Sequence, residues 1–228
     1  MIPDISVVMP CLNEAQAVGA CVARTLATLR HMNLRGEVIV ADNGSTDTSI
    51  MVAKAAGAIV VEEARRGYGR ACLAGLRAAR GKILVLGDAD LSYDFGEIPS
   101  LSAVLDEGYD LVLGSRFMGE ILPSAMPLAR RWIGNPLLTV LFNTLFATHL
   151  TDSHSGLRAM RKSTFERLNL QSDGMEFAVE MLIAARKARL RIAEVPIRYY
   201  PRRGESKLRP IPDAWRHVAL MLRCRLGL

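Results

Sequence analysis

The sequence has few cysteines and few aromatic residues, and both shortages exclude classes of protein. Its four cysteines, Cys11, Cys21, Cys72 and Cys224, match neither the spacing of a zinc site nor a disulfide framework, so a reducing cytoplasmic setting is expected. Aromatic residues make up 6% of the chain, and no RNA-binding signature accompanies its basic residues, which disfavours nucleic acid as a partner. No secretory signal is visible ahead of the first apolar segment.

Charged residues are absent from residues 132–150, although they make up 23% of the chain. The stretch reaches the lower limit of length for a membrane span. However, Asn135, Pro136 and Asn143 interrupt it, which makes a lipid-facing span costly. A helix in the membrane interface or a partly buried helix is expected, with a simple core helix pair as the alternative.

Positive charge is concentrated at the end of the chain. The net charge is +6, and from Arg186 onward we count 12 Lys and Arg against 3 Asp and Glu. Such an end suits an anionic membrane surface or a phosphorylated substrate. The last helix is expected to have an apolar face beside several arginines, a pattern that suits a membrane surface as well as ordinary packing. That face comprises Trp215, Val218, Ala219, Leu222 and Leu226.

Short apolar runs alternate with amphipathic segments, which predicts an α/β fold with a doubly wound, mainly parallel sheet. The predicted strands are Ile5–Met9, Glu37–Ala41, Ala58–Val61, Ile83–Leu86, Leu111–Gly114 and Ile192–Ile197. The predicted helices cover residues 14–32, 46–56, 68–79, 98–106 and 176–188, before the final one. We expect one domain over residues 1–228, with halves at 1–118 and 119–228 and interfacial amphipathic helices in the second half.

Two carboxylates, Asp88 and Asp90, directly follow the predicted strand Ile83–Leu86. Open α/β sheets bind ligands beyond the carboxyl ends of their strands. Both side chains can meet one ligand only if the chain turns there, as Gly87 and residues 92–94 indicate. Carboxylate oxygens that leave coordination positions open suit Mg²⁺ or Mn²⁺ bound together with a diphosphate. By itself, an Asp-x-Asp spacing is weak support for such a site.

Four loops, at residues 10–14, 42–47, 65–70 and 88–94, are expected to meet at this edge of the sheet. The first, second and fourth read Pro-Cys-Leu-Asn-Glu, Asp-Asn-Gly-Ser-Thr-Asp and, from residue 88, Asp-Ala-Asp. Later motifs are Gly-Ser-Arg from 114, Asp-Ser-His-Ser-Gly-Leu-Arg from 152, Glu-Val-Pro-Ile from 194 and Gly-Glu-Ser-Lys-Leu from 204. In this order they resemble family 2 inverting glycosyltransferases, in the polyprenyl-phosphate (dolichol-phosphate) mannosyl- and glucosyltransferase branch. The resemblance covers essentially the whole chain and implies a GT-A-like, nucleotide-sugar-binding fold.

The resemblance implies that the loops at residues 10–14 and 42–47 hold the base and ribose of the donor. Asp42 can accept hydrogen bonds from base N–H groups and Glu14 from ribose hydroxyls. The alternative is a capping or turn role, and both can hold at once. The implied donor-binding residues are Pro10, Asn13, Glu14, Asp42, Gly67, Arg70, Asp88, Ala89 and Asp90.

The segment Gly67-Tyr68-Gly69 is not a dinucleotide fingerprint, because it lacks the third glycine and follows the third strand. It can instead place Arg66 or Arg70 near a diphosphate, with a solvated loop as the equal alternative.

The resemblance makes Asp88 and Asp90 the metal pair, with Asp90 as the direct ligand, and the expected cofactor is Mg²⁺ or Mn²⁺. Family members often carry Gln two residues after the second Asp. Here that position is Ser92, a shorter and weaker ligand, so Ser92 or a water would be the third ligand. His154 has no partner histidine and is not expected to bind metal.

On the acceptor side, a phosphate monoester is largely ionised at neutral pH and needs cations more than a strong base. The candidates for binding the acceptor phosphate are Arg116, Arg131, Asn135, Arg202 and Lys207, with solvated surface cations as the alternative. The family's Asp-Arg-x-x-Gly spacing is altered here to Pro201-Arg202-Arg203-Gly204, which leaves open which arginine binds the phosphate.

Asp152 matches a family aspartate near the reacting centre, where it would orient the acceptor or assist proton transfer; a turn or cap is the alternative. The expected catalytic residues are therefore Asp90, Asp152 and Arg116.

The function implied is inverting, metal-dependent transfer of glucose or mannose to polyprenyl phosphate at the cytoplasmic membrane face. The donor would be UDP-glucose or GDP-mannose, the protein would be peripheral on the inner face of the membrane, and a homo-oligomer remains open. Many relatives continue into transmembrane helices, so a chain ending at Leu228 is expected to be a truncation or a peripheral form.

Three alternatives compete with this function. They are a soluble or different lipid acceptor, a non-catalytic nucleotide-binding scaffold at the membrane surface, and a sugar-phosphate nucleotidyltransferase. The last is disfavoured because residues 10–14 lack the Gly-x-Gly-x-Arg segment of that class.

Overall fold

The computed structural model describes residues 2–227. Its strands are β1 (Ile5–Cys11), β2 (Gly36–Asp42), β3 (Ile59–Glu62), β4 (Ile83–Leu86), β5 (Leu111–Ile121), β6 (Arg158–Arg161) and β7 (Ile192–Tyr199). Its α-helices are α1 (Val18–His31), α2 (Ser49–Ala55), α3 (Tyr68–Ala78), α4 (Ile98–Asp106), α5 (Asn135–Phe146), α6 (Lys162–Arg167), α7 (Phe177–Lys187) and α8 (Pro210–Leu226). A short 3₁₀ helix covers Phe95–Glu97, and a π-helical turn covers Arg130–Gly134.

The strands form one seven-stranded sheet in the order β3-β2-β1-β4-β6-β5-β7. Only β6 runs antiparallel to its neighbours, β4 and β5, while β5 and β7 are parallel to each other. The predicted α/β fold with a mainly parallel sheet is therefore confirmed. Strands from both halves of the chain join the same sheet, and β5 crosses the boundary that we expected near residue 118.

Helices cover both faces of the sheet. Val7 on β1 packs in a core cluster with Val22 of α1, whereas its neighbour Val8 packs in a second cluster with Leu76 of α3. Successive strand residues point to opposite faces, so this split shows that both faces are buried. Near-continuous apolar runs in β1, β2 and β4 follow from that double burial.

Two elements differ from the sequence-based expectation. Helix α1 begins at Val18 rather than near Glu14, because residues 14–17 form a turn in which the backbone N–H of Glu14 donates to Ser49 Oγ at 2.8 Å. Strand β6 was not predicted, because it begins and ends with arginine. Arg158 is nevertheless 1% exposed, and its guanidinium donates to the backbone carbonyls of Ser153, Ser155 and Ala178.

The charge-free stretch folds as the end of the π-helical turn followed by α5, which ends at Phe146. In residues 2–227, no helix has the length and apolar character that crossing a membrane requires. The predicted apolar face of α8 exists but points outward: Trp215 and Leu226 are about 70% exposed, while the buried residues are Asp213, His217 and Met221.

Candidate functional site

The loops after β1 and β2 lock together at the carboxyl edge of the sheet. Asn13 adopts a left-handed conformation (φ 55°), which Asn tolerates better than most residues. Its backbone N–H donates to Ser45 Oγ at 2.9 Å, and its side-chain Oδ1 accepts from the backbone N–H of Thr46 at 2.8 Å. The two loops expected to hold the base and ribose therefore form one rigid unit.

Asp42 is buried in this unit with one oxygen unused. Its Oδ2 accepts from the backbone N–H groups of Gly44 and Ser45, both at 2.9 Å. Its Oδ1 is buried and has no hydrogen-bond partner among residues 2–227. An unsatisfied buried carboxylate oxygen is costly, so the arrangement fits a ligand N–H at this point.

The loop after β3 separates the two arginines that we considered for the diphosphate. Arg66 donates to the backbone carbonyl of Asn43 at 2.9 Å and lies beside Gly44. Arg70 instead forms an ion pair with Asp173 at 2.5 Å, where both line a surface pocket of about 250 Å³. Arg66 therefore lies beside the loop after β2, whereas Arg70 is paired with Asp173; its expected contact with a donor stays a prediction.

Gly67 closes this loop for a steric reason. Its φ is +147°, and a Cβ there would lie 2.3 Å from the backbone oxygen of Asp173. Its N–H donates to Asn43 Oδ1 at 2.7 Å. Only glycine allows this approach. The approach sets the start of α3 and places Tyr68 near residues 88–94, the loop of Asp88 and Asp90, which we call the acidic loop.

Asp88 and Asp90 lie in the loop after β4. In each of them, one carboxylate oxygen accepts hydrogen bonds from a neighbouring residue. Tyr68 donates its hydroxyl to Asp88 Oδ1 at 2.9 Å. Ser92 donates its N–H and hydroxyl to Asp90 Oδ1, at 2.9 and 2.5 Å. Burial and the neighbouring Asp90 charge raise the pKa of Asp88 to about 6. A cation between the two carboxylates would relieve this repulsion.

These carboxylates fit a hard divalent cation that also takes oxygens from a diphosphate. No group of three or more His, Cys, Asp or Glu side chains in the described chain is placed to bind a metal alone. Asp88 and Asp90 would therefore supply only part of a coordination shell. The Ser92 hydroxyl, our expected third ligand, is engaged in holding Asp90.

Glu14 adds a third carboxylate near Asp88 and Asp90, and Arg202 pairs with Glu14 and Asp90. Arg202 Nη2 lies 3.1 Å from Asp90 Oδ2 and 3.3 Å from Glu14 Oε1. Burial and the Asp90 charge raise the pKa of Glu14 to about 7, although Arg202 and the exposed Lys207 lower it. Glu14 Oε2 is buried without a partner in residues 2–227, which fits a hydroxyl donor such as a ribose.

Arg116 and Asp152 form a buried ion pair beside this cluster. Nε and Nη2 of Arg116 each lie 2.7 Å from an oxygen of Asp152, and the Arg116 backbone N–H donates to Asp152 Oδ2 at 3.1 Å. Glu194 holds the loop by accepting from the backbone N–H of Asp152 at 2.8 Å. Both oxygens of Asp152 are thus occupied, which suits positioning of Arg116 better than proton transfer.

Two of the expected acceptor cations, Arg116 and Arg131, contact the paired ends of β5 and β7. Arg116 lies over the Tyr199 ring at 5.2 Å, and Tyr199 pairs with Ile121 of β5. Arg131 points Nη1 at the Ile121 carbonyl (3.4 Å) and lies 5.3 Å from the Trp132 ring. Asn135 contacts Met126 Sδ at 3.3 Å, so its amide is directed at a thioether.

Some residues of the site gave no sequence signal. Tyr68 was expected only as the start of a helix, yet its hydroxyl positions Asp88. Tyr93 accepts from the backbone N–H of Gly156 at 2.7 Å, which ties the acidic loop to the loop of Asp152. Asn43 holds the third loop by donating to the carbonyls of Glu63 and Arg65. A motif search cannot find these contacts, because each joins segments that are distant in the chain.

Exposed apolar side chains lie on α5, on α8 and in the residues just before α5, and the two helices contact each other. Trp132, Leu137 and Trp215 are 69%, 65% and 70% exposed. Within the described residues, other large exposed apolar side chains of this surface are Leu128, Ile133, Val140, Ile211, Leu222 and Leu226. Arg130, Arg216 and Arg223 occur in the same segments. We refer to these apolar side chains as the α5–α8 surface.

A sheet covered on both faces, with carboxylates after its fourth strand, fits the GT-A-like class of α/β proteins. Residues 6–168 match the model of Glycosyl transferase family 2. This match covers more than half of the chain, and the chain belongs to that family. The family expected from the motifs, and with it the classification as a glycosyltransferase, is confirmed.

Relatives of known name support this placement. The chain is 44% identical over 221 residues to the low-salt glycan biosynthesis hexosyltransferase Agl6 of Haloferax volcanii; the match covers 96% of this chain but 53% of Agl6. It is 33% identical over 207 residues to a dolichyl-phosphate hexose transferase of the same organism, covering 91% and 87% of the two chains. The chain thus spans about half the length of Agl6 and most of the second relative.

Solved structures show the same fold. A crystal structure of glucosyl-3-phosphoglycerate synthase from Mycobacterium tuberculosis, in complex with Mn²⁺, UDP-glucose and phosphoglyceric acid, has a TM-score of 0.76 at 28% identity. The match covers 99% of this chain and 80% of the synthase. The confirmed fold thus occurs in an enzyme crystallised with Mn²⁺ and a nucleotide sugar.

Proposed function

We propose that the protein transfers a hexose from a nucleotide-diphosphate sugar to polyprenyl phosphate at the cytoplasmic face of the membrane, as one domain over residues 1–228. The observation that carries this proposal is the junction of two charge clusters. Asp90 and Glu14 pair with Arg202, whose charge also acts on Asp88. The buried Arg116 of β5 acts on Asp88 as well and lies over Tyr199, the last residue of β7. The arrangement suits a cation-bound diphosphate on one side and a phosphate on the other.

On the donor side, Asp42 and Glu14 each present a buried, unpartnered oxygen that fits the N–H and hydroxyl donors of a nucleoside. Arg66, Gly67 and Asn13 shape the loops around it. Mg²⁺ or Mn²⁺ held by Asp88 and Asp90 would stabilise the charge of the departing diphosphate. The Mn²⁺ and UDP-glucose in the mycobacterial synthase support this choice and make UDP-glucose the first donor to test, with GDP-mannose second.

On the acceptor side, a phosphate oxygen is already anionic and needs orientation more than deprotonation. Arg116, fixed by Asp152 and the Tyr199 ring, supplies a preorganised cation, and Arg131, Arg202 and Lys207 supply further positive charge. The acceptor oxygen would form a bond to the anomeric carbon as the bond to the donor diphosphate breaks on the opposite side. An α-linked donor would thus give a β-linked product, with the nucleoside diphosphate as the leaving group.

The α5–α8 surface supports a lipid acceptor over a soluble one. Exposed tryptophans beside arginines are typical of helices that lie in a membrane interface. The 33% identity to a dolichyl-phosphate hexose transferase points the same way. A soluble phosphorylated acceptor is the second candidate, because the structural relative is a glucosyl-3-phosphoglycerate synthase.

A transfer assay with a panel of donors and acceptors tests the proposal. Labelled UDP-glucose and GDP-mannose are each incubated with Mn²⁺ and either polyprenyl phosphate or 3-phosphoglycerate. Label in the organic phase with one donor supports the proposal, and label only in the soluble acceptor refutes the lipid assignment. Asp90→Ala is expected to stay folded and inactive; an equally active Asp90→Ala would favour a site elsewhere.

A further inference from the structure

Arg202 is paired with two carboxylates on the donor side of the site, although it is also a candidate for binding the acceptor phosphate. Its Nη2 lies 3.1 Å from Asp90 Oδ2 and 3.3 Å from Glu14 Oε1. The proposed reaction also needs a cation at the acceptor phosphate, and Arg202 is one of the few candidates beside the site. Its side chain is 31% exposed, so it is partly accessible from outside.

The backbone fixes where this side chain starts. Tyr200 donates its N–H to the Ser92 carbonyl, and Arg203 donates its N–H to the Asp90 carbonyl, both at 2.9 Å. The segment that carries Arg202 is therefore fastened to the acidic loop on both sides. Movement of the guanidinium would come from the rotatable bonds of the side chain, without unfolding the loop.

A divalent cation bound to Asp90 would compete with Arg202 for the same carboxylate oxygen. Asp90 Oδ1 already accepts from the N–H and hydroxyl of Ser92, so Oδ2 is the oxygen left for a metal. That oxygen is the one in contact with the guanidinium. Two cations at this separation in a largely buried site repel each other strongly. Binding of one therefore weakens binding of the other.

We propose that Arg202 is an internal competitor for the divalent-cation site, and that the cation, on binding Asp90, displaces its guanidinium toward the acceptor phosphate. This inference rests on the proposed function for the identity of the acceptor. Donor and acceptor sites are then linked through one side chain: the cation that arrives with the donor diphosphate also releases a positive charge to the acceptor. The linkage is reciprocal, so an acceptor phosphate that draws Arg202 away from Asp90 strengthens cation binding.

The position of Gly204 is compatible with this movement. Its φ is +88°, and a Cβ there would lie 3.0 Å from Glu14 Oε2. A side chain at residue 204 would therefore press on the carboxylate that shares Arg202. Glycine leaves the space beside Glu14 open.

Titration of Mn²⁺ into the protein, without donor or acceptor, tests the competition by calorimetry. Arg202→Gln removes the charge and keeps a polar, though shorter, side chain, and the exposed Arg203→Gln is the matched control. An internal competitor multiplies the measured affinity by the fraction of molecules in which the site is free. If that fraction is about one third to one tenth, Arg202→Gln should bind Mn²⁺ about three- to tenfold more tightly. Arg203→Gln is expected to bind as the parent does.

Equal or weaker Mn²⁺ binding by Arg202→Gln would overturn the proposal. Thermal unfolding gives a second readout: in chelator, Arg202→Gln should melt below the parent, and Mn²⁺ should raise its melting temperature by more than that of the parent. If Arg202→Gln does not fold, Arg202→Met replaces it, because methionine also removes the positive charge and is likewise unbranched. It should bind Mn²⁺ more tightly than the parent, and no gain refutes the competition.

These outcomes separate this inference from the proposed function. If Arg202→Gln binds Mn²⁺ more tightly but the parent transfers no hexose to polyprenyl phosphate, the proposed acceptor is wrong and the competition between Arg202 and the cation is supported. If the parent transfers a hexose to polyprenyl phosphate but Arg202→Gln has unchanged Mn²⁺ affinity, the proposed function is supported and the competition between Arg202 and the cation is wrong.

Discussion

Replacing Asp152 by Asn should destabilise the protein strongly, because it leaves the Arg116 guanidinium buried without its counter-charge. The two side chains are 0% and 7% exposed, and the carboxylate receives hydrogen bonds from Nε, Nη2 and the backbone N–H of Arg116. Removing one partner of a buried ion pair costs about 3 to 5 kcal/mol. The double variant Arg116→Met with Asp152→Leu should recover part of this loss, since it leaves no unpaired charge.

Urea unfolding followed by far-ultraviolet circular dichroism measures this free energy. Tryptophan fluorescence is less suitable, because Trp132 and Trp215 are about 70% exposed in the folded protein. The control is Glu120→Gln, which breaks the exposed Arg198–Glu120 pair and should change stability by less than about 1 kcal/mol. Refutation would be an Asp152→Asn variant as stable as the parent. If that variant were also inactive, Asp152 would act in the chemistry itself, as the sequence suggested.

Two further predictions concern acid stability and the α5–α8 surface. Burial lowers the pKa of His217 from 6.5 to about 4, so the contribution of His217 to folding stability is complete above pH 6.5 and is lost as the pH drops toward 4. This contribution falls by about 3 kcal/mol between pH 7 and pH 4, so in urea unfolding His217→Gln should lose less stability over that range than the parent; an equal loss would contradict this cause. Trp215→Ser should weaken sedimentation with anionic vesicles by about tenfold, because it removes a large apolar side chain from the surface. Met51→Ser, 64% exposed on α2, is the control, and equal losses in both variants would show that α8 has no special role.

The sequence predicted β1, β2 and β4 well because burial on both faces makes these strands short, mostly apolar runs. β4 was expected at Ile83–Leu86 and lies there. β6 was missed for the opposite reason, because Arg158 makes it look polar. Its guanidinium is satisfied by backbone carbonyls that the sequence does not identify.

In the final helix, the hydrophobic pattern predicted which residues share a face but not whether that face is buried. The apolar face with Trp215 and Leu226 was correctly recognised, but its orientation is set by tertiary contacts. The side facing the protein holds His217, whose ring lies 4.7 Å from that of His154 next to Asp152. A polar pair between a helix and a loop distant in sequence gives no periodic signal.

The candidate site likewise contains some features that the sequence predicts and others that it does not. Asp42, Asp88 and Asp90 could be placed near one another because parallel strands bring their carboxyl ends to one edge. The Tyr68 contact to Asp88 and the Arg202 contact to Asp90 could not, because they depend on how side chains from α3 and the β7 loop extend over that edge. The same holds for Arg70, whose partner Asp173 is distant in sequence.

Inverting transfer of a hexose to polyprenyl phosphate, as proposed for this protein, sets the anomeric linkage of the product. The most direct test is to isolate the labelled lipid formed with Mn²⁺ from an α-linked donor and to determine its anomeric linkage by NMR. We predict a β-linked hexosyl phosphate that is absent with chelator and with Asp90→Ala. An α-linked product, or label found only in water-soluble compounds, would contradict the account.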